Sequence, residues 1–149
     1  MKIAAIDPGV TTGYAIAWVH EQPKTVSLEC VVLRDTPNPL EVIRSITRSR
    51  CMSVVLERRP ANASREGTEH YELLLNQLIM NGYRDPHHFR FSDNSLALVS
   101  PGLWKPVIKA QQIMDYGSWD IQSDHMRDAL GLLHYVIKLN FMNKEIEYE

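Results

Sequence analysis

Cysteine is nearly missing from this chain. Cys30 and Cys51 are its two examples in 149 residues, and they have no paired spacing. That excludes a disulfide framework and fits reduced thiols in a cytoplasmic protein. No apolar run approaches the ~20 residues that span a bilayer, so no membrane partner is expected. The opening MKIAAID is too short an apolar run for a signal peptide. No Cys/His cluster has zinc-like spacing, and no serine sits on a recognisable nucleophile elbow. Gly9 and Gly13 follow the first apolar run, but no Gly-Lys-Ser/Thr comes after them, so the common phosphate-binding loop is absent. Excess positive charge is missing too. Sixteen basic against eighteen acidic residues leave a net −2, a weak argument against nucleic acid. The local pattern argues the other way, because Arg58 and Arg59 are adjacent and Arg65 is close behind.

What is present is an ordinary globular composition, with 44% hydrophobic and 23% charged residues. No linker, repeat or low-complexity segment divides it, so one domain over 1–149 with its own core is expected. Residues 2–7 read as a buried strand, with 13–20 as its hairpin partner and 25–33 as a third antiparallel strand. A helix follows in TPNPLEVIRSITRSR, with Leu40, Ile43, Ile46 and Thr47 on one face. Residues 51–57 form an apolar strand reached by a helical crossover, hence parallel to an earlier one. Tyr71, Leu74, Leu75, Leu78 and Ile79 recur at helical spacing over 67–81. Residues 95–100 read as the last strand, broken by Pro101-Gly102. Pro106 suits the start of a short helix to Met114, with Lys105 before it biased to extended geometry. A final helix over 123–141 turns Met126, Ala129, Leu130, Leu133, Val136 and Ile137 inward. The acids of the tail KEIEYE read as harmless solvated charge. The order βββ-α-β-α-β-α-α implies an α/β layered domain.

Asp7 and Glu57 each end an apolar strand. If those strands are adjacent and parallel, the two carboxylates emerge side by side at the edge where α/β proteins place their chemistry. In SDHMRDALG, His125 and Asp128 are three apart and Asp124 and Asp128 four apart, so both pairs share a helix face. Projected towards Asp7 and Glu57, they would gather carboxylates and an imidazole suited to a divalent cation. Each residue also has a plain reading. Asp-Pro-Gly is a common turn, Glu57 a solvated edge acid, Asp124 a helix N-terminal charge and His125 a surface or capping residue. Asp128 is harder to explain that way, since it directly precedes an apolar run.

IAAIDPGVTTGYAIA, VVLERRPANAS and DHMRDALGLLHY, in that order, resemble the RuvC-type Holliday-junction resolvases of the RNase H-like superfamily. The resemblance implies an RNase H-like fold, with a five-stranded mixed sheet (three antiparallel strands, then two parallel) flanked by helices. Asp7 resembles the family's first catalytic aspartate and Glu57 its second acid. His125 and Asp128 resemble the C-terminal pair in its histidine form, with Asp124 in reserve. Lys105, in PGLWKP, is similar to a family lysine near the scissile phosphate. Arg58, Arg59, Arg65, Lys105 and Lys109 are the expected DNA contacts. Pro60 stands where the bacterial prototype has an aromatic wedge. The short, diverged chain looks like a phage or otherwise distant member, which would place it in the cytoplasm of a bacterial host.

The resemblance further implies resolution of four-way DNA junctions by metal-dependent phosphodiester hydrolysis. Two Mg²⁺ or Mn²⁺ ions per site would be held by Asp7, Glu57, His125 and Asp128, and a homodimer would present two sites. Alternatives remain within the superfamily: a YqgF-like RNA nuclease, or a less selective branched-DNA nuclease. A basic residue usual after the YqgF-type glycine is replaced by Val10-Thr11-Thr12. A classical RNase H fits less well, since its second acid lies on a helix. An actin-like ATPase also opens with Asp-x-Gly but needs two such halves. A catalytically silent DNA-binding protein is the non-enzyme alternative.

Overall fold

The computed structural model describes the chain apart from residues 60, 86–89 and 111–118 and the side chains at 30, 109 and 110. Its sheet is built on strand β1 (Lys2–Asp7), which pairs antiparallel with β2 (Thr12–Glu21) and parallel with β4 (Ser53–Glu57). Strand β3 (Thr25–Thr36) continues antiparallel on β2, and β5 (Ser95–Val99) lies parallel on β4. A sixth strand, β6 (Glu145–Tyr148), pairs parallel with β3 and closes the order β5-β4-β1-β2-β3-β6.

That sixth strand corrects the expected five. The tail alternates Glu145, Ile146, Glu147 and Tyr148. Ile146 and Tyr148 pack on the core while the glutamates stay exposed, which is how a half-buried edge strand reads.

The helices cover both faces. On one, α1 (Pro39–Ser49) and α2 (Arg65–Met80) bury Val42, Ile43, Ile46, Leu74 and Leu78 against Ala4, Ile6, Ile16 and Leu56. On the other, α3 (Pro101–Ala110) and α4 (Asp124–Asn140) pack Trp104, Ala129, Leu130, Leu133 and Val136 against Ile3, Ala5, Ala15 and Val55. Even positions of β1 thus face α1 and α2, and odd positions face α4, the period-two pattern of a sheet buried on both sides.

Helix ends follow local chemistry. Asn38 caps α1 by accepting from Leu40 N–H, and Ser64 caps α2 from Gly67 N–H. Ser123 caps α4 by accepting from Met126 N–H at 3.2 Å. All six residues expected to face inward on α4 are buried. On α2 the expectation holds for Leu74 and Leu78, whereas Ile79 is 56% exposed.

Helix α3 starts at Pro101 rather than Pro106, which lies inside it. Proline at the first helical position sacrifices no intrahelical bond, so Pro101 opens the helix as Pro106 was expected to. Lys105 is accordingly helical, not extended. Residue 114, the expected end of this helix, lies outside the described residues.

Candidate active site

Strand register brings the first two acids together. Ile6 is the partner of Leu56 in the parallel pair, so Asp7 and Glu57 follow one another at adjacent strand ends. Both occupy odd, α4-facing positions, and both are buried. Their carboxyl groups lie close enough for each to act on the other's ionisation. Burial, the Glu57 charge and the Asp128 charge push the Asp7 carboxyl up to about 8, against a lowering by Lys105. Glu57 is also raised, chiefly by burial. The Trp104 indole and the Lys105 ammonium oppose that rise.

Helix α4 is seated close enough to reach them because residue 13 is glycine. A Cβ at Gly13, the partner of Asp7 in β2, would lie 2.1 Å from the His125 carbonyl oxygen. The first turn of α4 therefore rests directly on β2. It sets His125 Nδ1 3.8 Å from Asp7 Oδ2. One turn on, Asp128 is raised mainly by burial, and its Oδ2 lies 3.8 Å from Lys105 Nζ. Asp124, the reserve candidate, points away. Its side chain is exposed and paired with Arg127 at 3.5 Å. Its place in the first turn suits the helix dipole.

The basic residues divide. Lys105 joins the acids, acting on Asp7, Glu57 and Asp128 alike. Arg58 continues β4 by donating its N–H to Val99 O at 2.8 Å, and its side chain is exposed beside the acids' strand. Arg59 reaches the Thr68 hydroxyl at 3.4 Å. Arg65 is exposed on α2 and paired with Glu69 at 3.2 Å, so it is not brought to the acids. The Lys109 side chain and Pro60 lie outside the described residues.

Two supports were not visible in the sequence. Trp104, buried under α4, donates its indole N–H to Glu57 Oε2 at 2.7 Å. Gly131 makes the room, since a Cβ there would stand 2.8 Å from the Trp104 ring. His70 on α2 donates Nδ1–H to the Gly9 carbonyl at 2.9 Å and ties the turn after Asp7 to that helix. A buried tryptophan needs an acceptor for its N–H, and that was the one available signal for the first of these.

As placed, no three Asp, Glu, His or Cys side chains among the described residues can ligate one ion together. Asp128 is paired with Lys105 at 3.8 Å, and Glu57 Oε2 accepts from the Trp104 indole. Ligation of one ion by three of them therefore requires side-chain rearrangement.

The strand order, with helices on both faces of the sheet, is that of the RNase H-like fold. No family model and no curated protein matches the sequence. The fold is that of Holliday-junction resolvases. The chain is similar to Thermus thermophilus RuvC, with a TM-score of 0.68 at 13% identity over 97% of this chain and 99% of that one. The fowlpox virus Holliday junction resolvase matches at a TM-score of 0.57 and 17% identity, over 93% and 99% of the two chains. The yeast mitochondrial resolvase Ydc2 matches at 0.52 and 13%, over 92% and 81%.

Proposed function

We propose that the chain is a divalent-metal-dependent endodeoxyribonuclease that resolves four-way DNA junctions. The observation that carries this reading is the buried Asp7–Glu57 pair, faced by Asp128, His125 and Lys105. It sits in a fold similar to resolvases, among them a Thermus thermophilus RuvC described in complex with a Holliday junction substrate.

The donor set fits a hard cation. Carboxylate oxygens with one imidazole suit Mg²⁺ or Mn²⁺. Two carboxyls buried side by side oppose each other's ionisation, a cost that a cation offsets. Asp7, Glu57 and Asp128 would hold the metal, with His125 completing the set. Two such ions, when bound, supply an activated water and charge stabilisation at the leaving oxygen. Asp7 feels the charge of both other acids, which suits it to be the shared ligand. Trp104 fixes the rotamer of Glu57. Lys105 holds a positive charge beside the acids that can turn to the scissile phosphate. Arg58 and Arg59, exposed next to Glu57, would meet flanking phosphates.

A junction has two strands to cut symmetrically, so the active species is a homodimer. The exposed Ile79 and Met80 of α2, beside half-buried Leu75, offer it an apolar face.

The test is cleavage of a mobile four-way junction compared with duplex, flap and RNA–DNA hybrid, with Asp7→Asn as control. Selective, paired, metal-dependent nicking of the junction is expected. Equal cutting of hybrid or single-stranded RNA would overturn the assignment in favour of an RNA nuclease of the same superfamily.

A further inference from the structure

On the face of the sheet away from the acids, a cavity of about 390 Å³ opens between α1 and strands β2 and β3. Tyr14, Arg34, Arg44, Arg48, Ser45 and Glu41 are among its lining residues. Arg34 on β3 is the register partner of Tyr14 on β2. Arg44 and Arg48 stand one turn apart on α1, ~6 Å along its axis, so all three guanidinium groups belong to one concavity. None of the three has an ion pair or hydrogen-bond partner among the described residues. Like charges at this helical spacing destabilise a helix by a few tenths of a kcal/mol, with no structural return here. Glu41 is the one acid in the lining, and the Thr36 hydroxyl donates to its carboxylate at 2.6 Å. Three arginines against one glutamate leave the cavity with an excess of two positive charges.

The floor supplies a second, independent indication. Tyr14 is only 3% exposed, yet its hydroxyl has no hydrogen-bond partner among the described residues. No buried side-chain oxygen or nitrogen there lacks a partner, so this hydroxyl is the part of Tyr14 that opens into the cavity. Guanidinium forks match phosphate oxygens in pairs, which ammonium groups do not. A neutral phenol O–H and the Ser45 hydroxyl add donors for a group with several oxygens.

We propose that this cavity is a binding site for a phosphate group, carried by a nucleic-acid strand or by a free nucleotide, and separate from the acid centre. It stands apart from the nuclease reading, because none of its residues belongs to the acid cluster.

The experiment titrates the Asp7→Asn protein with inorganic phosphate, followed by ³¹P NMR. Saturable binding is expected. It should weaken at least ~10-fold in Arg44→Gln/Arg48→Gln and about 3-fold in Tyr14→Phe, the scale of charged and neutral hydrogen bonds. Lys24→Gln/Lys138→Gln removes the same charge elsewhere and should leave it unchanged. Arg44→Lys/Arg48→Lys, which keeps charge without the fork, should bind between the two. No saturable binding, or equal weakening by the lysine pair, overturns the site.

Two further arms separate the sources. A nucleoside monophosphate that binds more tightly than phosphate and displaces it identifies a free nucleotide. For a strand, the salt dependence of junction binding should flatten by about 2 in log–log slope for the arginine pair and not for the lysine pair.

Discussion

Burial and the neighbouring Glu57 and Asp128 charges push Asp7 up to about 8, so near neutrality the folded chain holds a proton that the unfolded chain releases. For an acid raised in the folded state, the linked stability is full below its unfolded value of 3.8 and is lost as pH rises through about 8. Asp7→Asn removes that loss. It should melt several degrees above the parent at pH 8.5, at ~2–4 °C per kcal/mol for a chain of this size, with a smaller difference at pH 5. Scanning calorimetry at the two pH values checks this. The same variant should lose junction cleavage by at least ~10³-fold, equivalent to ~4 kcal/mol of transition-state stabilisation. That pairing of gain and loss is the mark of a residue held against its own stability for chemistry. Trp104→Phe keeps the ring in its slot beside Gly131 but removes the donor to Glu57. We expect kcat to fall ~10-fold with a Tm change under ~4 °C, measured by single-turnover cleavage and thermal melting. His125 gives a third residue-scale prediction. As a ligand it should make Mn²⁺ at least as effective as Mg²⁺. A His125→Asp variant with an unchanged Mn²⁺/Mg²⁺ rate ratio would remove it from the ligand set.

Helix α4 carries both its apolar stripe and two of the site residues, and its height above β2 is set at a single position. Gly13→Ala would force a Cβ into the His125 carbonyl, backbone against backbone, where no rotamer change relieves the clash. A loss of ~2–3 kcal/mol is expected, in the upper range for overpacking, and Tm should fall accordingly. The acids of β1 and β4 would keep their register while His125 and Asp128 are displaced, so cleavage should fall more steeply than stability. These elements were legible in the sequence because apolar period and capping residues agree. β1, β4 and α4 each end or begin at a candidate site residue, and Ser123 marks the start of α4. β6 was hidden because its outward glutamates made a strand look like a solvated tail. The start of α3 was misplaced because two prolines compete for one signal and the first takes the helix opening. Trp104 and the Gly13 contact arise from packing between distant segments, which spacing along the chain does not encode. The arginine cavity escaped notice for the same reason, since Arg34 and Arg44 lie on different elements.

Across the whole molecule, a buried and a half-buried group act on the pH profile in opposite senses. Burial, helped by Lys138, depresses His134 to about 4. For a histidine lowered in the folded state, stability falls as pH drops from its usual 6.5 towards 4, since the unfolded chain takes up the proton first. Between those values the His134 loss and the Asp7 gain offset one another, whereas from 6.5 to 8 the Asp7 loss is no longer opposed by His134. The parent should therefore be more stable at pH 6.5 than at 8.5, and urea denaturation at both values tests the difference. At the same scale, the exposed end of α2 predicts assembly. Met80→Lys should shift a dimer towards monomer in sedimentation while leaving the monomer fold intact, because Met80 is almost fully solvated there. The seating of α4 on Gly13 also has a consequence in time. Asp7 and Glu57 are made before α4, and their strands can pair before residues 124–140 follow. Until that last long helix docks, the nascent chain holds an acid pair without Asp128 or His125 over it. A growing chain thus carries an incomplete set of candidate site residues, which is finished only when α4 docks.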